Sequence, residues 1–420
     1  MSFGTGRDWA RAADAADPLA RYRGEFHFPD GPDGPAIYLC GNSLGLQPRR
    51  AMTEVGRVLA DWQRLAVLGH HGGGADWMNY EYQLAQSLAR LVGAGPTEVI
   101  AMHSLTINLH LLMASFYRPT PGRQVVLIER GAFPSDRYAV VSQLRWHGLD
   151  ERDAFVELAP RDGEDCLRNE DIIGAIERLG GRLALVLMPG IQYLTGQALD
   201  MPGIARAAHA VGAVAGFDLA HAVGNIPLSL HDWDADFAVW CSYKYLNSGP
   251  GATAGAFVHE RHHAPSTPRL AGWWGNELET RFEFAQRFRP ARGAAGWQVS
   301  NHPVIAMAPL RASLEQFDAA GMPALVAKSR RLTAYLEFLL EEHLADRLQL
   351  ITPRDPLARG AQLSLRMREG ATAGRLTFDR LIARGVICDW REPDVIRLAP
   401  APLYNSFEDC WSAVEILRAS

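Results

Sequence analysis

Six short apolar runs, each bounded by turn residues and separated by helical patterns, constrain this chain more than any other feature. They are 98–102, 124–129, 183–188, 213–218, 237–241 and 254–259. Runs of this length that stay apolar without alternating are those of strands buried on both faces, and the helical segments between them (108–117, 169–179, 202–211) supply the covering layers. Asn169 is expected to cap its helix, and Pro202 sits in a first turn. The expected fold class is α/β, a large domain with a mostly parallel sheet flanked by helices. From about residue 301 longer helical patterns (304–319, 324–343) give way to strand candidates at 362–367, 386–389 and 395–398. These predict a smaller α+β C-terminal domain. The expected division is an N-terminal arm (1–38), a large domain (39–300) and a small domain (301–420).

Composition excludes several partners. Forty-two basic residues stand against 47 acidic ones, a net charge of −5, with no basic run to follow a nucleic-acid backbone. No apolar stretch approaches membrane-spanning length, and the opening residues have no signal-peptide core. Five widely spaced cysteines (40, 166, 241, 388, 410) argue against a disulfide framework and a cysteine-based metal site, so a reducing cytoplasm is expected. His70/His71 and His262/His263 are adjacent pairs that seldom converge on one ion; no metal is expected, and the second pair reads as surface.

Only two of the 42 basic residues are lysine, Lys244 and Lys328. Arginine can replace lysine as a surface cation but not as an amine nucleophile, so a lysine that survives in such a background is a candidate for chemistry. Lys328 lies in a helical stretch and reads as a solvated cation. Lys244 follows a strand and precedes a Gly/Pro turn, between Tyr243 and Tyr245.

In a doubly wound sheet the loops at the carboxyl ends of the strands build the site. After the first run Ser104 or Thr106 can cap a helix whose amides suit an anion. After the second come Phe133, a stacking face, and Asp136. Asp218 ends the fourth run, where a carboxylate needs a cationic partner, and His221 follows closely. Phosphate, aromatic face, pyridinium and aldehyde partners together specify one cofactor, pyridoxal phosphate (PLP).

These segments resemble kynureninases, PLP enzymes of the aspartate-aminotransferase fold (fold type I). The resemblance is carried by YLCGNSLGLQP (38–48), NLHLLM (108–113), AFPSD (132–136), FDLAHAVGN (217–225), LHDW (230–233), CSYKYLNSGPG (241–251), AGWWG (271–275) and VICDWREPDVIRLAPAPLYNSF (386–407). It implies hydrolytic Cβ–Cγ cleavage of L-kynurenine, and possible use of its 3-hydroxy analogue. It implies that Lys244 forms the cofactor imine and moves the α-proton, that Asp218 holds the pyridinium with His221 nearby, and that Phe133 stacks on the ring beside Ser135 and Asp136. Leu105, Thr106, Tyr243, Trp273 and Asn301 would surround the phosphate, the last two from a neighbouring subunit, so a homodimer is implied. Arg397 would bind the substrate carboxylate, and His70 and Ser43 would lie near its aryl end. Tyr243 is the candidate acid/base. The chain reads WWGN (273–276) where many relatives read WFGH, which makes Trp274 and Asn276 candidates for the aryl pocket and leaves the preference between the two substrates open. The glycine-rich segment 70–77 is expected to form a mobile loop. The rival readings are a cysteine desulfurase or aminotransferase on the same fold, and a silent PLP-binding protein.

Overall fold

The computed structural model describes residues 3–283 and 287–419. Its larger sheet has seven strands: β1 (Val99–Ala101), β2 (Val125–Glu129), β3 (Phe155–Leu158), β4 (Leu183–Pro189), β5 (Val214–Asp218), β6 (Phe237–Trp240) and β7 (Gly255–Val258). They lie in the order β1-β7-β6-β5-β4-β2-β3. Only β7 runs against its neighbours; every other pair is parallel. All six expected runs form strands. The seventh, β3, goes unannounced because it is a half-buried edge whose apolar pattern Glu157 interrupts.

Close approach between neighbouring strands requires glycine at one point near the sheet centre. A Cβ at Gly216 would lie 2.3 Å from the Phe237 ring on the adjoining strand. Helix Leu105–Phe116 begins a turn before the expected 108, because Ser104 is extended (ψ 163°) and the chain turns helical at Leu105. At helix Asn169–Leu179 the N-cap is Arg168 rather than Asn169, whose side chain instead accepts from the Asp200 amide at 3.4 Å.

The second sheet contains β8 (Leu348–Leu350), β9 (Leu363–Met367), β10 (Asp389–Arg391) and β11 (Val395–Leu398), in the antiparallel order β8-β9-β11-β10. The expected strand 386–389 is divided. Val386–Ile387 pairs in parallel with Ile37–Tyr38, and only from Asp389 does the chain join this sheet. Helix Val304–Ala320 packs along helix Arg49–Leu65 before helix Met322–Leu344 carries the chain to the second sheet.

The N-terminal segment is clamped to the last helix. Both oxygens of Asp14 accept first-turn amides of helix Phe407–Arg418, from Phe407 at 2.7 Å and Glu408 at 3.0 Å. Arg23 pairs with Asp409 at 2.6 Å. Lys328 is not the solvated cation expected from its helix: it is buried and meets Asp17 at 2.7 Å, with side-chain exposures of 5% and 3%. The arm folds over that face of the helix and takes it out of water, which the helix's own periodicity does not reveal.

Candidate active site

The carboxyl ends of β2, β4, β5 and β6 and the start of helix Leu105–Phe116 enclose a cavity of about 170 Å³. Nine of the expected residues line it: Leu105, Thr106, Phe133, Ser135, Asp136, Asp218, His221, Tyr243 and Lys244. The loop bearing Lys244 is fixed from outside by the segment around Gly45, whose amide donates to the Tyr243 carbonyl at 2.8 Å. A Cβ at Gly45 would fall 2.4 Å from the Lys244 carbonyl oxygen, so only glycine allows this approach.

Lys244 Nζ lies 2.9 Å from His221 Nε2, and 5.8 Å from the centre of the Phe133 ring. Burial, followed by the charges of Lys244 and Arg397, pushes the His221 ring well below its usual pKa. A neutral imidazole therefore accepts from the lysine, leaving His221 Nδ1 buried without a hydrogen-bond partner. The tyrosine beside it, Tyr243, has its phenol pushed up, first by burial.

Three carboxyl groups face this cavity. Asp218 accepts from the Ala220 amide at 2.7 Å; burial raises its pKa, while that amide and Lys244 oppose the rise. Asp136 is raised further, by burial and then by the charge of Asp218. Glu129, the last residue of β2, is pushed up to about 8, mainly by burial. Buried carboxyls with too few cations retain protons, and a protonated pyridine nitrogen supplies the missing positive partner. At the other end of the cavity, the Ser104 side chain makes no capping bond to helix Leu105–Phe116, which leaves its first-turn amides to an anion. The residues present thus fit a ring cation at one end, a phosphate at the other and an aldehyde at Lys244.

Arg397, on β11, is fully buried just outside this lining. It donates to the Tyr193 carbonyl at 2.6 Å and to the Asp389 carboxylate. Burial lowers its pKa to about 10, and its Nε has no partner. Tyr193 lines the cavity and meets the Phe133 ring edge-on, with centroids 5.3 Å apart.

A second cavity, of about 610 Å³, holds His70, Trp274 and Asn301 together with Trp62, Trp77 and His302, and shares no lining residue with the first. Trp273 stands 54% exposed and donates from Nε1 to the Arg281 carbonyl at 2.8 Å. The Asn276 amide is used within its own loop, donating to Thr280 Oγ1 at 3.1 Å and accepting from the Arg289 amide at 2.8 Å. Ser43 lines neither cavity; its amide donates to the Cys40 carbonyl at 3.0 Å. The glycine-rich segment 70–77 is tied to helix Arg49–Leu65, because Asp61 accepts from the amides of Gly74 at 2.9 Å and Ala75 at 3.2 Å.

Glu129 escapes the sequence reading although it carries the signal that singles out Asp218, an acid ending a buried parallel strand. Tyr193 and Arg281 lie in loops without such a signal. Away from both cavities, Glu98, His231 and His259 bring ligating atoms within 4.8 Å of one another. Glu98 already accepts from the amides of Gly95 (2.7 Å) and Glu260 (2.8 Å), and His259 Nδ1 accepts from Arg261. Nearby, His262 and His263 are half-buried rather than surface residues: His262 Nε2 lies 2.7 Å from Asp236, and His263 Nε2 lies 2.9 Å from the Val258 carbonyl.

A mostly parallel sheet with an aspartate ending its central strand and a lysine just beyond the neighbouring strand is the arrangement of a PLP enzyme of fold type I. Solved structures share the architecture: a C-DES variant with glycine covalently linked to its PLP cofactor (TM-score 0.74, 16% identity, 91% of this chain and 96% of that one). A cysteine desulfurase from Escherichia coli is equally similar (0.74, 16%, 95% and 97%). Residues 325–417 match the family model for the kynureninase C-terminal domain. The chain is 56% identical to the kynureninase of Myxococcus xanthus over 99% of its own length and 97% of that protein's, and 58% identical to that of Xanthomonas campestris pv. campestris (97% and 96%). The chain belongs to the kynureninase family, PLP-dependent hydrolases acting on a carbon–carbon bond.

Proposed function

We propose that this chain hydrolyses the Cβ–Cγ bond of L-kynurenine to anthranilate and L-alanine, with Lys244 as its central proton carrier. The observation that carries the reading is the Lys244–His221 contact at 2.9 Å beside buried Asp218, in a chain that is 56% identical to a kynureninase. Bound PLP supplies an electron sink for the carbanions formed on the substrate.

Each residue has a role that its surroundings support. Lys244 would take up the substrate α-proton and, with PLP in place, would carry it to the C4′ side of the cofactor. His221, kept neutral, is the acceptor that orients the free amine. Asp218 would be the negative partner of the pyridinium, with Asp136 and Ser135 beside it. Phe133 stacks on the ring. The amides at Leu105 and Thr106, with the Thr106 hydroxyl, hold the phosphate. Tyr243 is the acid/base of the later proton transfers; Tyr243→Phe that kept full turnover and lost only cofactor affinity would sink that role. Arg397 binds the substrate carboxylate in place of Asp389.

The second cavity enters through a homodimer, in which the partner's Trp273 and Asn301 approach the phosphate and His70 and Trp274 surround the aryl end; Asn276 and Ser43, which line neither cavity, would reach that end only as the subunits meet. Exposed Met52, Leu59 and Trp62 on helix Arg49–Leu65, with Ile305 beside them, support a covered face of this kind. We divide the chain into an arm (1–38), a large domain (39–300) and a small domain (301–420), the seven-stranded sheet falling in the second and the four-stranded sheet in the third. Unpaired cysteines support a cytoplasmic protein; among the described residues no helix is long and apolar enough to cross a membrane. Desulfurase chemistry is not favoured, because burial raises the pKa of all five thiols.

The test is anthranilate and alanine release by the PLP-loaded protein from L-kynurenine and 3-hydroxy-L-kynurenine, with Lys244→Ala as control. Release lost in the control supports the reading, and the ratio of the two rates fixes the substrate preference. Release from neither substrate, with the cofactor bound, would overturn it.

A further inference from the structure

Behind the second cavity lies a carboxylate with no part in the chemistry above. Glu81, in helix Tyr80–Val92, has a fully buried side chain and does not itself line the cavity. One oxygen, Oε1, accepts from Trp274 Nε1 at 3.0 Å. The other, Oε2, lies 2.9 Å from His302 Nδ1, within ion-pair distance but without hydrogen-bond geometry. The opposite ring nitrogen of His302 is 2.7 Å from the Trp77 carbonyl, and its ring meets Trp274 edge-on at 5.1 Å.

Trp274 is held from a second direction as well. The Arg281 guanidinium lies 4.3 Å from the centre of its ring and donates to its carbonyl at 2.8 Å. Trp77 in turn meets His70 edge-on at 5.5 Å. One aromatic wall of the cavity, Trp274, is therefore hydrogen-bonded to a buried carboxylate, and a second, His302, stands within ion-pair distance of the same group. Burying such a group beneath an aromatic wall is unfavourable unless its partners repay it, and here both partners are cavity walls.

The geometry points to Glu81 as a positioning residue for the aryl end of the substrate, acting through Trp274 and His302. This rests on the kynureninase reading and on the aryl ring occupying this cavity. Glu81 fixes the rotation of an indole that a glutamate in solvent could not hold, so its loss should loosen ring binding and leave the proton transfers at Lys244 largely intact.

The test uses the cofactor-loaded enzyme with two readouts: kynurenine turnover, and the Kd of anthranilate by equilibrium dialysis. Glu81→Gln keeps an acceptor for the indole and removes the charge facing His302; Glu81→Leu removes both. KM and the anthranilate Kd should rise together, on the order of tenfold for Glu81→Leu and less for Glu81→Gln, with kcat falling less than about threefold. In a Trp274→Phe background, which lacks the indole N–H, the leucine substitution should lose most of its effect.

Glu81 variants that lower only Tm, with KM and Kd within about twofold of wild type, would overturn the assignment. So would an equal effect of Glu81→Leu with tryptophan or phenylalanine at 274. If Glu81→Leu gives no folded holoenzyme, Glu81→Gln and His302→Gln decide: both must raise the anthranilate Kd, and an unchanged Kd in either rejects the assignment. Wild-type enzyme that neither turns over kynurenine nor binds anthranilate fails the broader reading, whereas normal wild-type turnover with a Kd insensitive to Glu81 fails this one alone.

Discussion

The two cavities are built by opposite means. The one around Lys244 is assembled from the ends of four neighbouring strands and one helix start, so backbone hydrogen bonding alone brings its residues within reach of one another. The one around Trp274 is assembled from loops and from two helices far apart in sequence, and it depends on side-chain locks such as Glu81 and Arg281. A sheet end supplies fixed positions for chemistry, and loops supply a surface that can be re-cut for a new ring without disturbing the chemistry.

Several substitutions separate these two modes. The largest effect should come from the sheet end: Asp218→Asn is expected to lower kcat on the order of 10³-fold by weakening the hold on the pyridinium, with the cofactor's absorbance shifted as an independent readout. Arg397→Gln comes next. A kcat/KM for kynurenine about a hundredfold lower, mostly through KM, is expected from the loss of a buried charge-assisted contact; an unchanged KM would mean that the carboxylate is held elsewhere.

A mixing experiment joins the two cavities. Lys244→Ala and the double variant Trp273→Ala/Asn301→Ala, each nearly inactive alone, should regain about a quarter of wild-type activity after mixed refolding, since half the dimers are hybrids with one intact site of two. No recovery, with hybrids present by mass, would mean that each chain completes its own site.

The smallest effect concerns stability. Glu129 has a folded pKa of about 8, above its ordinary value, so the native state keeps a proton that the unfolded chain releases from about pH 4.5 upward. Stability of the cofactor-free protein should therefore fall as pH rises toward 8, on the order of 1 kcal/mol per pH unit, and level off above it. Glu129→Gln should flatten that slope in melting curves.

Legibility in the sequence follows the same division. The six strand runs, Lys244 against an arginine-rich background, and Asp218 at a strand end are all readable because backbone periodicity and local chemistry dictate them. The contacts of Asn276 are not: its loop turns the amide inward, toward Thr280 and Arg289. Lys328 has the same lesson, since the residue that buries it lies more than three hundred positions away in the arm. Glu81 looks like any charged residue on a helix until Trp274 and His302 arrive from distant loops.

The pairing of Asp14 with the first turn of helix Phe407–Arg418 also bears on how the molecule is made. Synthesis proceeds from the N-terminus, so the arm leaves the ribosome long before the helix that will hold it. Helix Arg7–Ala15 finds its apolar partners first on helix Met322–Leu344 and then on helix Phe407–Arg418. A chain stalled before residue 407 still offers Lys328 to Asp17 and Tyr335 to Trp9, but lacks the amides that hold Asp14, so the last clamp on the arm closes late.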